Sequence, residues 1–461
     1  MHISPSASSQ ARPTLIVAAV LTTSLIFPLS ITGPAAALPI LSAELGAHPL
    51  LPWIVTAYNA SFAAFLLFGG LLADWLGPRA VYVGGVSLFA AAALTLTLSS
   101  TPELLVAARG LAGIAAAAAT TGGTALLSGA VAPSRRPRVF GALGTVMGAG
   151  LAFGPILSAF LVAQLGWRGA FAVPGGLAVA ALLVLAMAGL KRQGDSEARD
   201  VSRPPLGAAA LFTCAFLALT LGLGELPTRG LGDPITIGAF VAAGAFGALM
   251  VRLNRRGTAP LVPHEILTSR GFSAIAVAAG TLMAVLVPLV VFLPTALTDR
   301  GGNEAALATL FLTIPTVILP AAGARIARRI AATTLAWCSL VLAALGLAGV
   351  GAALATGAPL SGLAPGLLAI GAAVGLTSGV LDGAALAEVP EAVAARAAGM
   401  LNTARLASET LTLAVTSAVV LGAAGAASLA LAPVAAGLAA LALLSAGVVL
   451  LLSRRPRFTA Q

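Results

Sequence analysis

The feature that most constrains this chain is a succession of long apolar runs separated by short polar stretches, from residue 14 to residue 452. Hydrocarbon offers no water to backbone N–H and C=O groups, so a run that spans a bilayer satisfies them internally as a helix. About 20 residues suffice, because a helix rises about 1.5 Å per residue through a core about 30 Å thick. The pattern therefore predicts an all-α integral membrane protein.

Fourteen runs reach the spanning length, and composition agrees with this reading. Only 9% of the residues are charged, whereas a soluble domain has about 25%. No polar stretch is long enough to form a separate soluble domain. We predict transmembrane helices at residues 14–37, 51–73, 80–99, 103–128, 138–163, 169–190, 205–224, 234–252, 272–296, 304–323, 331–354, 361–386, 398–423 and 428–452.

The distribution of basic residues predicts the orientation of these helices. Basic clusters occupy alternate connections and the tail: Ser134–Arg138, Lys191–Arg199, Arg252–Arg256, Arg325–Arg329 and Arg454–Arg457. The opposite connections contain only Arg168, Arg229 and Arg300 as basic residues. Because Lys and Arg accumulate on the cytoplasmic side, we expect both termini in the cytoplasm and the chain in the cell (inner, cytoplasmic) membrane.

The expected partners and chemistry follow from what the residues do not form. The 25 Lys and Arg residues are scattered over short loops, without the basic stripe of a nucleic-acid surface. No nucleophile–base pair, phosphate loop or Cys/His ligand cluster has a suitable spacing. Cys214 and Cys338 lie inside apolar runs, where a thiol behaves as a small hydrophobe. We therefore expect no enzyme, no metal, no cofactor and no nucleic acid, and the lipid bilayer as a partner of the chain.

A recognisable segment, GGLLADWLGPR, joins the second and third predicted helices. It ends a helix with Asp74, turns tightly at Gly77 and places a cation at Arg79, so that a helix dipole and a charge pair act at one membrane face. The segment resembles motif A of the major facilitator superfamily. The resemblance implies that Gly70, Asp74, Gly77 and Arg79 form a gating motif.

Further segments resemble the same family in the same order. Arg109–Gly113, RGLAG, resembles motif B, and Gly150–Pro155, GLAFGP, resembles the antiporter motif C with Gly150, Gly154 and Pro155. GWRGAFAVPGG, FLPTAL and VPEAVAARAAGMLNTARL are similar to the fourteen-helix drug:proton antiporter branch. The resemblance implies an exporter of amphipathic small molecules, such as drugs, antibiotics or toxic metabolites, which uses the proton gradient as its energy source.

For the fold, the resemblance implies a major facilitator arrangement with two six-helix halves and two linker helices. The expected parts are a cytoplasmic N-terminal tail, an N-terminal half, a cytoplasmic loop with helices 7 and 8, a C-terminal half and a cytoplasmic tail. Their boundaries are residues 1–13, 14–190, 191–253, 254–452 and 453–461.

The chain departs from the family pattern at three places. Ser30 stands where the family usually has an Asp in helix 1, Ala112 replaces a Gln of motif B, and Ser158 and Ala159 replace the closing glycines of motif C. The helix 1 carboxylate, which is frequently proton-coupled in the family, is therefore missing. Two alternatives stay open: a narrow-specificity metabolite exporter or uncoupled facilitator, and a non-transporting membrane receptor or scaffold.

Glu409 is the first candidate for proton coupling. It lies about twelve residues into the predicted helix 398–423, which places it near the membrane midplane. Arg405 and Asn402 precede it by four and seven residues and share its helical face. Ionisable groups at this depth are rare and usually functional, so we interpret Glu409 as a protonatable group that pairs with Arg405. The alternative is a static ion pair between the two.

Two further charged residues complete the predicted coupling set. Arg109 lies about two turns from the outer end of helix 4 and is interpreted as influencing a protonation or an outer gate; the alternative is snorkelling to the interface. Asp382 lies toward the cytoplasmic end of helix 12, which favours an interfacial position over a midplane one.

Uncharged polar side chains predict the substrate cavity. Asn59 is costly to expose to lipid and follows Tyr58 in helix 2. With Ser30 and Asn402 these residues form the predicted cavity lining. The alternative for Asn59 is a hydrogen bond between helices.

Overall fold

The computed structural model describes residues 7–46, 48, 50–132, 135–187, 205–256, 260–297, 302–390, 394–422 and 427–453. Its helices, in chain order, are α1 Ala7–Leu45, α2 Leu51–Leu76, α3 Pro78–Leu98, α4 Pro102–Ala130, α5 Arg136–Met187, α6 Leu206–Arg229, α7 Pro234–Arg256, α8 His264–Thr268, α9 Arg270–Ala296, α10 Gly302–Ile318, α11 Pro320–Ile326, α12 Ala332–Ala355, α13 Leu360–Thr377, α14 Val380–Ala387, α15 Ala394–Gly422 and α16 Ala427–Ser453. Every predicted apolar run overlaps one or two of these helices.

Judged by length and composition, fewer of the described helices qualify as membrane-spanning than the fourteen predicted. Among the residues described, eleven helices are long and apolar enough to cross a membrane, or twelve if α10 and α11 form one bent span. The helix α5 supplies only one of these spans, and α15 supplies none. The helix α15 is not counted as a span because it contains polar residues, including Asn402, Arg405 and Glu409. The chain is thus a multi-pass helical membrane protein, and this measure does not establish fourteen spans.

Several predicted helices are interrupted. Gly166 has φ 67° and ψ 178° inside α5, so the predicted helices 138–163 and 169–190 adjoin at a kink. The predicted helix 304–323 is α10 and α11, bent by 46° after Ile318. The predicted helix 361–386 is α13 and α14, separated at Gly379 with φ 75°. A left-handed φ is accessible to glycine without a Cβ clash, so the breaks at Gly166 and Gly379 fall where the sequence allows them. The bend between α10 and α11 precedes Pro320, which lacks the N–H that a continuous helix needs.

The helices form two compact units. One consists of Met1–Cys214 with Gly247–Ala259, and the other of Ala215–Phe246 with Pro260–Gln461. In the first unit α1 packs on α5, and α4 packs on α2 and α3. In the second unit α9 packs on α15 and α16, and α12 packs on α13 and α16. The boundaries predicted from the family resemblance remain predictions.

Glycine permits close backbone contact inside each unit. A Cβ at Gly113 of α4 would collide with the carbonyl oxygen of Tyr58 in α2. A Cβ at Gly371 of α13 would collide with the carbonyl oxygen of Leu312 in α10. Small residues are needed at such positions because helices in lipid associate through close packing rather than through a hydrophobic force.

Candidate transport sites in the two units

Arg109 of α4 is a buried charge at the meeting point of three helices in the first unit. Its residue exposure is 1%. Nε donates to the carbonyl oxygen of Ile54 in α2 at 2.8 Å, and Nη2 donates to the carbonyl oxygen of Ser30 in α1 at 2.8 Å. The guanidinium carbon lies 4.3 Å from the ring centroid of Tyr58. Arg109 therefore points into the bundle and does not snorkel to the interface.

The Ser30 carbonyl is available to Arg109 because of the sequence of α1. Residue 34 is a proline, which has no N–H to complete the helical hydrogen bond to residue 30. The guanidinium donates to this acceptor instead. The Ser30 hydroxyl donates to the carbonyl oxygen of Ile26 at 3.0 Å. Ser30 thus contacts Arg109 through its backbone carbonyl, whereas its hydroxyl forms a hydrogen bond within α1.

A small cavity adjoins Arg109. Its volume is about 10 Å³, which is roughly the room that one water molecule needs. Besides Arg109 and Ser30, its lining includes Phe89, Ala112 and Phe171. The cavity is therefore too small for a drug-sized ligand. Its lining contains both Arg109, which was predicted for proton coupling, and Ser30, which was predicted for the substrate cavity.

The predicted substrate-cavity residues fall into two groups. Ser30, Tyr58 and Asn59 lie in the first unit, with residue exposures of 6%, 0% and 3%. Asn402 is half-buried in α15 of the second unit. Ser30 and Tyr58 meet at Arg109. Contact of any of these side chains with substrate remains a prediction.

In the second unit, Arg405 of α15 pairs with Asp382 of α14. Nη1 lies 2.6 Å from Oδ1, and Nη2 lies 3.1 Å from Oδ2. Such a bidentate pair matches the planar geometries of both groups. The Arg405 side chain is 19% exposed and that of Asp382 is 45% exposed. The pair fastens the short helix α14 to α15.

Glu409 does not form the expected ion pair with Arg405. The residue is 6% exposed, yet within the described residues its carboxylate makes no ion pair within 4 Å and no side-chain hydrogen bond. Arg405 is oriented to Asp382 instead, because that geometry is bidentate and a cation four residues before an anion is the less favourable order on a helix. The Nε atom of Arg405 is buried and has no hydrogen-bond acceptor among the described residues.

The other end of α14 contacts the start of α9, a feature that the sequence analysis missed. Ser269 accepts a hydrogen bond from the Phe272 backbone N–H at 3.1 Å and donates to the Glu388 carbonyl oxygen at 3.3 Å. The Glu388 carboxylate lies against Gly271, where a Cβ would collide with it. A carboxylate near a helix N-terminus is favourable. The available signal was the serine three residues before the apolar run that starts at Phe272.

The motif A turn lies between α2 and α3. Gly77 adopts φ 95° and ψ 143°, and its N–H donates to the Ala73 carbonyl oxygen at 3.1 Å. A Cβ at Gly70 would meet open space. Asp74 is exposed and Arg79 is half-buried. The tight turn expected at Gly77 is present, whereas its role in gating remains a prediction.

The motif C glycines lie in α5, which packs on α1. Gly150 and Gly154 are buried. Pro155 lies inside the same helix, and the environment of its side chain falls outside the described residues. An effect of this motif on antiport remains a prediction.

A second polar cluster, also missed from sequence, lies around Glu44 at the end of α1. Its carboxylate accepts from Trp167 Nε1 at 2.6 Å and from Arg168 Nη1 at 2.9 Å. The Arg168 guanidinium carbon lies 4.0 Å from the Trp167 ring centroid, and Nη2 reaches the Ser99 carbonyl oxygen at 3.4 Å. The hydrogen bond from Trp167, followed by that from Arg168, lowers the pKa of Glu44. The segment GWRG was the available signal.

The repeated apolar helices, with charged groups buried between them, are those of a multi-pass helical membrane protein. The chain belongs to the Major Facilitator Superfamily, whose profile matches residues 19–412. This family and its relatives named as exporters indicate a transporter rather than an enzyme.

Relatives in this family carry names from antibiotic export and resistance. A cephamycin export protein from Amycolatopsis lactamdurans is 29% identical over 414 residues, covering 87% of this chain and 83% of the relative. A methylenomycin A resistance protein from Bacillus subtilis is 28% identical, covering 64% and 63%. A tetracenomycin C resistance and export protein from Streptomyces glaucescens is 32% identical, covering 61% and 51%. The matches to the latter two span less than two thirds of those relatives.

Solved structures share the fold at low identity. A POT-family peptide transporter, crystallised as a mutant with sulfate, superposes with a TM-score of 0.67 at 16% identity, covering 95% of each chain. The xylose transporter from E. coli gives a TM-score of 0.64 at 13% identity, covering 97% of this chain and 99% of the other. At these identities the likeness concerns the fold alone.

Proposed function

We propose that this chain exports amphipathic small molecules, such as antibiotics or toxic metabolites, across the cytoplasmic membrane in exchange for protons. The names of the cephamycin and tetracenomycin relatives support the substrate class and the direction. The burial of Glu409, beside an arginine that is paired with another acid, is the observation that carries proton coupling.

The proposal includes a monomer with fourteen transmembrane helices and both termini in the cytoplasm. It counts α5 as two spans on either side of Gly166 and treats α15 as a polar span. The alternation of basic clusters along the chain supports this orientation. Under this proposal the chain falls in the fourteen-helix drug:proton antiporter branch, which its sequence motifs resemble.

Coupling, as we propose it, works through competition for Arg405. A protonated Glu409 is neutral, which suits its buried position, and leaves Arg405 with Asp382. Loss of the proton creates a buried anion four residues from Arg405, on the same face of the helix. The unoccupied Nε donor allows Arg405 to turn toward Glu409, and this releases α14 from α15.

Few other charges compete in this exchange. The helices packed on α15 are α9, α14 and α16. Their described residues contribute Arg270 at the start of α9 and Asp382 in α14, and α16 contributes no charged residue. Arg405 is therefore the cation nearest in sequence to Glu409, and Asp382 competes with Glu409 for the Arg405 guanidinium.

The experiment is transport by the purified full chain in proteoliposomes under an imposed pH gradient. Glu409→Gln should abolish gradient-driven substrate uptake while the protein stays folded, because the amide cannot carry the proton. Glu225→Gln, which changes an acid at the end of α6, is the matched control and should retain uptake. Undiminished uptake by Glu409→Gln would refute the coupling role.

A second candidate is an uncoupled facilitator or narrow-specificity exporter. The observation that favours it is Ser30, which provides no carboxylate in helix 1 and whose hydroxyl bonds to Ile26. Substrate flux without proton flux in the same vesicles would favour facilitation. Ligand binding without any flux would instead indicate a receptor or scaffold.

A further inference from the structure

Arg109 is buried, and most of its donors find no acceptor among the described residues. A guanidinium carries five N–H donors, and Arg109 uses one at Nε and one at Nη2. Its Nη1 atom donates to none of the described residues. Three N–H groups are therefore left, on a side chain that is 1% exposed.

The positive charge of Arg109 also has no counter-ion in the part of the chain that the structure describes. Among the described residues, no carboxylate lies within 4 Å of this guanidinium. Its neighbours are two carbonyl dipoles and the face of Tyr58. These groups attract a cation, but they have no net charge. Charges buried in protein or membrane are normally paired, since removal from water is otherwise costly.

The cavity beside Arg109 has room for one small species. Its lining joins Arg109 and Ser30 to apolar side chains such as Phe89 and Phe171. A water molecule would accept hydrogen bonds from the free donors, whereas an anion would accept them and balance the charge as well. The volume of about 10 Å³ corresponds to one water-sized species. It therefore excludes an organic carboxylate, and among anions it leaves a monatomic ion.

We propose that Arg109 and this cavity form a binding site for a single small monovalent anion of the halide class. The anion lies against the free N–H groups of Arg109 and serves as a fixed counter-ion within the first unit. Multivalent anions such as sulfate are rejected, because they exceed the cavity and pay a larger dehydration cost. The site is independent of Glu409 and of the proposed direction of transport.

Thermal unfolding of the purified full chain in detergent tests the site. The melting temperature should rise and saturate as chloride replaces gluconate at constant ionic strength, since a ligand that binds only the folded state stabilises it. Bromide should act similarly, and sulfate should not. An identical melting temperature in chloride and gluconate would overturn the proposal.

Two variants locate the effect. Arg109→Gln should lose the chloride dependence. Ser30→Asp should also lose it, because its carboxylate supplies an internal counter-ion. Since Ser30→Asp should remain folded, it tests the site even if Arg109→Gln does not fold. Arg168→Gln, which removes an arginine already paired with Glu44, should keep the dependence. Retention of the full chloride response by Ser30→Asp, or its loss in Arg168→Gln, would place the anion elsewhere and contradict the assignment.

Discussion

Arg109 donates a hydrogen bond from Nη2 to the carbonyl oxygen of Ser30 at 2.8 Å and thereby ties α4 to α1. The acceptor is available because Pro34 cannot donate to it. Residue 30, which carries no carboxylate, thus offers Arg109 a backbone oxygen. The partial charge of that oxygen does not neutralise the arginine.

The first prediction concerns the proline that frees this carbonyl. Pro34→Ala restores an N–H that competes with Arg109 for the Ser30 oxygen, so the free energy of unfolding should fall by about 1 kcal/mol. Thermal melting in detergent measures the change. Pro433→Ala, at an exposed position inside α16, should have a smaller effect. Equal stability of wild type and Pro34→Ala would show that the two donors do not compete.

The second prediction concerns the contact between α14 and α15. Asp382→Asn removes the charge from the bidentate pair, so backbone amides of Val380–Ala387 should exchange with deuterium about fivefold faster, equivalent to about 1 kcal/mol. Hydrogen exchange with mass spectrometry measures this. Glu265→Gln in α8 is the control, and unchanged exchange in α14 would contradict its attachment through Arg405.

The third prediction concerns the start of α9. Gly271→Ala places a methyl group where the Glu388 carboxylate lies, so stability should fall by about 1–3 kcal/mol. Adding Glu388→Ala should recover part of the loss, because it removes the colliding group. Gly437→Ala in α16, where a Cβ meets open space, is the matched control. Additive losses in the double variant would argue against this contact.

The fourth prediction concerns pH and Glu44. Its pKa is lowered in the folded protein by the hydrogen bonds from Trp167 and Arg168, so its ionised form stabilises the fold above the ordinary carboxylate pKa. This contribution is lost as the pH falls through the lowered pKa. Melting of Glu44→Gln should therefore differ from wild type at neutral pH, with the difference shrinking in acid.

The control for Glu44 is Glu304→Gln, which changes an acid in the first turn of α10. The difference between Glu44→Gln and wild type is compared with the difference that this variant shows. A gap between Glu44→Gln and wild type that is constant from neutral to acidic pH would exclude a role for ionisation.

The sequence determined the helical, membrane-embedded character of the chain, because each apolar run must satisfy its own backbone in lipid. It also located Arg109 and Glu409 as the unusual charges inside those runs. It also placed a helix boundary between residues 163 and 169, where Gly166 breaks α5. The interruption at Gly379 was not predicted, because apolarity is the same on both sides of that break and does not report φ.

Only the tertiary structure decided which groups these charges meet. Spacing along one helix favoured Glu409 as the partner of Arg405, but a planar carboxylate on α14 forms two hydrogen bonds with it. Likewise, the sequence revealed that residue 30 lacks a carboxylate, and it could not reveal that Arg109 reaches the main chain there. Sequence specifies the residue types, whereas the pairing of a charge depends on distances between helices that only packing determines.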